Sequence, residues 1–194
     1  MKELLKAVPT HTLVWIDETY IEYAGPEESL EQYAVQTEHV IVCKSMSKVY
    51  ALSGARAAYL CLPPHLADRL RSITPPWSLS LPAQLAAISA LQDYEYYGRM
   101  YAETHLLRAT LRAGLSGIGI TEVIPGIANF LMFYLPAGKA QQAACFVERC
   151  RKEGLFIRDV STMGAMLGQG ALRIAVKDGA TNARMLSIIR QAMD

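Results

Sequence analysis

The sequence predicts an α/β chain: part of a mostly parallel sheet, a long linking helix, and a small α/β unit beyond it. Three observations predict this. Thr12–Ile16 and Val40–Cys43 are short, continuous apolar runs of strand length, each followed by polar residues, as in strands buried on both faces. Apolar residues at helical spacing, among them Leu107, Leu111 and Leu115, extend one helix from Asp93 to about Leu115. After it the chain returns to short apolar runs divided by a helical segment. With 194 residues the chain accommodates one large domain or two small ones. The expected division is residues 1–114 and 115–194, at the Gly114–Gly119 stretch.

Composition narrows the function classes. Hydrophobic residues are 52% and charged residues 19%, which suits a globular chain. A net charge of +1 gives no electrostatic case for nucleic acid or a membrane surface. No apolar run approaches the roughly 20 residues of a membrane span, and the charged start, Met1–Pro9, does not read as a signal peptide. Cys43, Cys61, Cys145 and Cys150 form no Cys-x-x-Cys pair. They read as reduced residues of a cytoplasmic protein, with no metal site and no disulfide framework. The histidines (His11, His39, His65, His105) are scattered.

Taken in order, Thr12–Ile16 is the first strand, followed by a short polar helix or loop from Glu27 to Tyr33 and the strand Val40–Cys43. Ala57–Leu62 is a third strand, ended by Pro63-Pro64, and His65–Ser72 follows as a helix. The breaker-rich Thr74–Ser80 stretch leads to helices at Pro82–Leu91 and Asp93–Leu115. Strands are expected at Ile120–Ile124, Ala128–Leu135, Leu155–Asp159 and Leu172–Val176. Helices are expected at Ala140–Lys152, closed by Gly154, and at Asn182–Met193, with Thr181 as N-cap.

Chemistry concentrates at the ends of the first two strands. Open α/β sheets bind ligands beyond the carboxyl ends of their strands. Asp17 and Tyr20 follow the first strand, and Ser45-Met46-Ser47-Lys48 follows the second. Two hydroxyls and, eight residues past the lysine, Arg56 suit a phosphate, because hydroxyls donate hydrogen bonds and guanidinium forks onto oxygens. A lysine emerging from an apolar strand end, where desolvation lowers its pKa, suits Schiff-base chemistry. Gly54 suits a tight turn or close approach to a ligand. The plain alternative is a strand end with a solvated lysine and a loop arginine.

Four segments then occur in a fixed order: Asp17-Glu18-x-Tyr20-x-Glu22, Ser45-x-Ser47-Lys48-x-x-x-Leu52-x-Gly54-x-Arg56, Ala128-Asn129-Phe130, and Leu172-Arg173-Ile174. Together they resemble the class I/II, fold-type I, pyridoxal-phosphate aminotransferases, in particular the histidinol-phosphate aminotransferase branch, over essentially the whole chain. The resemblance implies pyridoxal 5′-phosphate as cofactor and Lys48 as the residue that tethers it and moves the substrate proton. It implies Asp17 on the pyridine nitrogen, Tyr20 on O3′, and Ser45, Ser47 and Arg56 on the 5′-phosphate. Arg173 would take the substrate α-carboxylate, Arg158 a phosphate or the distal end of the substrate, and Asn129 would line the substrate side. Each has a plain alternative: an edge-strand surface arginine, a solvated strand end, and an asparagine satisfying the backbone. Glu22 and Tyr23 would fix local structure.

The resemblance further implies amino-acid and 2-oxo-acid substrates and a homodimeric full-length protein. The family has Gly-Leu-Arg-x-Gly-Tyr where this chain has Gly54-Ala55-Arg56-Ala57-Ala58-Tyr59. It is also nearly twice as long. The chain therefore reads as the C-terminal half of an aminotransferase, without the N-terminal half that would supply the ring-stacking aromatic and a further phosphate-binding turn. The isolated chain is expected to be inactive. A decarboxylase of the threonine-phosphate type, or a non-catalytic dimerisation or binding remnant, are the alternative functions.

Overall fold

The computed structural model describes residues 1–193. The chain forms two compact units, Met1–Gly98 and the residues from Arg99 onward. The division falls earlier than the 114/115 boundary read from the sequence, because Leu111 and Leu115 are fully buried in the second unit's core.

The first unit opens with a helical turn, α1 (Lys2–Lys6), that the periodicity did not announce. β1 (Val14–Asp17), α2 (Glu31–Gln36), β2 (Val40–Ser45) and β3 (Ala58–Cys61) follow. β2 is central in the order β1-β2-β3. β1 pairs with it in parallel and β3 in antiparallel fashion. The mixed direction has a simple cause: the β2–β3 connection holds one 3-10 turn, Ser53–Ala55, and no crossover helix. Val40 and Val42 pack with Leu5, Leu30 and Ala34, so α1 and α2 cover one face. On the other face of β1, Trp15 is 58% exposed. β1 is therefore covered on one face only, where the sequence suggested burial on both. α3 (Pro64–Ile73) and α4 (Leu81–Gln92) complete the unit, α4 with Ser80 as N-cap (Ala83 N to Ser80 Oγ 3.4 Å). Ala90 of α4 joins Met46 and Ala57 in a second small core beneath the β2–β3 connection.

α5 (Tyr94–Gly117) runs out of the first unit and into the second. There β4 (Val123–Ile124), β5 (Phe130–Tyr134), α6 (Ala143–Lys152), β6 (Arg158–Asp159), β7 (Ala171–Ala175) and α7 (Gly179–Met193) form an antiparallel sheet of order β4-β5-β7-β6 with two helices. Leu111 and Leu115 of α5 join Phe133, Leu172, Ile174, Phe146 and Ile189 in one continuous core. Gly154 ends α6 with φ +79°, the left-handed conformation that glycine adopts without a Cβ penalty, and Leu155 N closes the turn onto Cys150 O at 2.9 Å. α7 starts three residues before the expected position. Its cap is Asp178, which accepts from Thr181 N at 2.9 Å and from Thr181 Oγ1 at 2.6 Å, so Thr181 is the capped residue and not the cap.

Candidate active site

Strand register brings the expected cofactor residues of the first unit to one sheet edge. Asp17 ends β1 opposite Cys43, and Ser45 ends β2 opposite Ala58, the first residue of β3. Asp17, the Ser45–Lys48 turn and Arg56 therefore all leave the sheet at the same edge. Tyr20 stands half-buried three residues past Asp17, at the start of the 3-10 turn Ile21–Tyr23.

The turn bearing Lys48 is fastened from below. Met46 is 2% and Val49 6% exposed, and both flank the exposed Lys48. Met46 N donates to Ala57 O at 3.1 Å and Leu52 N to Met46 O at 3.0 Å, which tie the loop to β3 and to itself. Lys48 is thus presented to solvent between two buried anchors, in place of the partly desolvated position expected at a strand end. Ser45 Oγ and Ser47 Oγ lie 2.8 Å apart and so converge on one place. Arg56 is exposed, donates to Ser53 O at 3.1 Å, and holds the left-handed φ 53°, ψ 34°. Strain expected of a glycine falls instead on this arginine: Gly54 has no positive φ, and a Cβ there would meet nothing within 4 Å. Asp17 is exposed, and its Oδ1 accepts from Thr19 N at 2.9 Å and Thr19 Oγ1 at 2.5 Å. Two converging hydroxyls, a guanidinium, a free-standing amine and a carboxylate oriented by its own turn make a donor set that fits a phosphorylated aldehyde with a basic ring nitrogen.

Beneath this edge lies a feature the sequence did not reveal. Strand alternation turns Lys44 toward the same face as Val40 and Val42, opposite to Ser45. There it is 6% exposed, with Nζ 2.9 Å from Glu31 Oε1, 3.0 Å from Glu22 Oε1 and 3.8 Å from Glu18 Oε2. Tyr59 OH donates to Glu31 Oε1 at 2.7 Å, Ser29 Oγ to Glu18 Oε2 at 2.7 Å, and Leu30 N to Glu18 Oε1 at 2.8 Å. Burial alone would pull the Lys44 ammonium down, but its hydrogen bonds and charge contacts with Glu31 and Glu22 outweigh it and raise the pKa. Lys44 is thus engaged in a buried ion-pair network, whereas Lys48 is exposed. Burial, then Glu31, push the Tyr59 phenol well above its ordinary value.

The second unit carries the other three expected residues. Arg173 lies on β7, between β5 and β6, so it is not on an edge strand. It is half-buried, with its guanidinium 4.8 Å from the centre of the Phe130 ring. In register it stands directly opposite Arg158 of β6. Like charges facing across a strand pair are unfavourable, and no ion pair among the described residues includes either arginine. Such a pair offers an anion two guanidinium groups. Asn129 precedes β5, and its backbone carbonyl accepts from Val176 N at 2.8 Å.

The aminotransferase class I and II family model matches residues 1–189. The chain belongs to the class I and II aminotransferases. Among curated relatives, this aminotransferase chain is 29% identical over 195 residues to a histidinol-phosphate aminotransferase of Methylobacillus flagellatus, covering 100% of the chain and 50% of the relative. It is 32% identical over 182 residues to that of Methanocaldococcus jannaschii, covering 94% and 48%. The chain thus spans about half the length of the curated relatives it matches. Its fold is that of the solved histidinol-phosphate aminotransferase from Clostridium acetobutylicum (TM-score 0.86, 24% identity, 98% of this chain and 57% of that one). The Sinorhizobium meliloti histidinol-phosphate aminotransferase, solved in complex with pyridoxal-5′-phosphate, superimposes with TM-score 0.84 at 24% identity over 98% and 51%. The L-threonine-O-3-phosphate decarboxylase from Porphyromonas gingivalis shares the fold at TM-score 0.81 and 20% identity, over 99% of this chain and 59% of that one.

Proposed function

We propose that this chain is the lysine-bearing half of a pyridoxal-phosphate-dependent transaminase, which moves an amino group from an amino acid to a 2-oxo acid. The observation that carries this reading is the gathering of Asp17, Ser45, Ser47, Lys48 and Arg56 at one sheet edge, fixed by the β1–β2–β3 register. When bound, pyridoxal 5′-phosphate supplies an electron sink for the substrate's Cα. The chain's residues do the rest. Ser45, Ser47 and Arg56 hold the phosphate by charge-assisted hydrogen bonds. Asp17 keeps the ring nitrogen protonated, and Tyr20 hydrogen-bonds O3′. Lys48 tethers the cofactor and then carries the substrate's Cα proton. Arg173 takes the α-carboxylate, with Arg158 opposite it for a second anionic group and Asn129 on the substrate side.

Complete activity belongs to the full-length protein, as a cytoplasmic homodimer whose N-terminal half supplies the remaining cofactor contacts. No described helix is long and apolar enough to cross a membrane. The test is an absorbance titration of the full-length protein containing this chain with pyridoxal phosphate, then borohydride reduction and peptide mapping. A single reduced adduct on Lys48, absent from Lys48→Ala, is expected. Label spread over surface lysines, unchanged in that variant, would overturn the reading. Product analysis with the full-length protein separates transamination from decarboxylation: keto acid for the first, carbon dioxide for the second.

A further inference from the structure

We propose that Lys44 is the positioning residue of the cofactor edge: its ammonium clamps both ends of the turn that carries Tyr20. This rests on the reading of Asp17 and Tyr20 as the cofactor's ring partners. Glu18 and Glu22 flank Tyr20 in sequence, and both carboxylates reach the same Nζ, at 3.8 and 3.0 Å. Glu18 N also donates to Cys43 O at 2.9 Å, which continues the β1–β2 ladder one residue past Asp17. The entry to the turn is thus fixed by backbone and carboxylate together. Its exit depends on Glu22, whose Oε2 is buried without a donor, so Lys44 is the partner that holds that carboxylate in place. The same Nζ engages Glu31 at the start of α2, and Tyr59 of β3 shares that oxygen. Lys44 is adjacent in sequence to Ser45, so one residue couples the position of the Tyr20 turn to the strand end that presents Ser45, Ser47 and Lys48.

The test compares Lys44→Met, Lys44→Arg and Glu22→Ala with the unaltered sequence, each made in the full-length protein containing this chain. Amide hydrogen exchange over residues 18–24, measured without cofactor, reads the clamp itself. Borohydride trapping at Lys48 across a pyridoxal phosphate titration reads its consequence. Loss of exchange protection over 18–24, together with the start of α2 that Glu31 opens, is expected in Lys44→Met. The concentration needed for half-maximal trapping should rise about tenfold, the scale for removing a partner that orients a ligating group. Lys44→Arg should restore both. Glu22→Ala keeps Lys44 paired with Glu31 and Glu18 and should loosen residues 21–24 alone, so it carries the test where Lys44→Met does not fold. Unchanged exchange over 18–24 in the folded variants overturns the clamp. Loosened exchange with unchanged trapping overturns its role at the cofactor edge. An unaltered full-length protein that takes no label on Lys48, while the variants still loosen 18–24, supports the clamp and rejects the cofactor reading alone.

Discussion

Arg56 shows how a single residue can be placed at a cost to the fold. A non-glycine residue in the left-handed region costs about 1–2 kcal/mol, and Arg56 sits there at φ 53° beside an exposed 3-10 turn. Its one described hydrogen bond, to Ser53 O, is exposed and local. Packing therefore does not explain an arginine here; the phosphate contact of the proposed function would. Arg56→Gly should remove the strain, partly offset by the greater freedom of glycine in the unfolded chain. Thermal unfolding should show stability unchanged or raised by up to about 1 kcal/mol. Trapping of pyridoxal phosphate at Lys48 should weaken by at least about tenfold, the scale of a lost hydrogen bond to a charged group. A fall in both would mark Arg56 as structural. Ser45→Ala should weaken trapping while changing the free energy of unfolding by about 1 kcal/mol or less, since its half-buried hydroxyl bonds only within its own turn, to Ser47.

At the scale of elements, the start of α7 makes the clearest case. Hydrogen bonds from Thr181, side chain and backbone, hold the Asp178 carboxyl below the ordinary carboxylate range. A depressed folded-state value means the cap stabilises fully above the unfolded carboxylate's pKa and is lost as pH falls through the folded one. Asp178→Ala should therefore lower the melting temperature at neutral pH, and the deficit should shrink as the pH is lowered through the carboxylate range. A deficit independent of pH would assign the effect to something other than the charged cap. This cap also shows what the sequence could reveal and what it could not. Asp178 and Thr181 are both good caps, and only the backbone path chooses between them. The apolar runs announced β1, β2, β5 and β7 because burial imposes its pattern locally. The direction of β3 was not legible, because it depends on a connection that lacks a crossover. The Lys44 network was less legible still: Lys44 meets Glu22 from 22 residues away, and only pairing of β2 with its neighbours brings them together. That Asp17, the Ser45–Lys48 turn and Arg56 follow or precede strands that end together was readable from the apolar runs. Their exposure, and the strain at Arg56, were not.

Over the whole molecule, the two units differ in how much core each has. Among the described residues, the second unit has one continuous cluster of eighteen buried residues. The first has two smaller ones, of five and three. The first unit also exposes large apolar side chains, with Trp77 94%, Leu81 66% and Leu85 57% accessible. Stability tracks apolar area removed from water, at roughly 25 cal/mol per Å², so the first unit should open first in denaturant. The cysteines report each unit separately. Cys43 and Cys61 are half-buried in the first unit, while Cys150 is fully buried in the second, with burial pushing its thiol up to about 11. Cys145, exposed, should react with a thiol reagent in the native chain. Cys43 and Cys61 should follow at low denaturant and Cys150 only at higher denaturant. Phe133→Ala, which removes a fully buried ring from the second core, should cost about 3–5 kcal/mol and bring Cys150 labelling to lower denaturant without moving that of Cys43 and Cys61. If Cys43, Cys61 and Cys150 instead become reactive at one denaturant concentration, in the unaltered chain and in Phe133→Ala alike, the two units unfold as one and their separate cores do not set their stability.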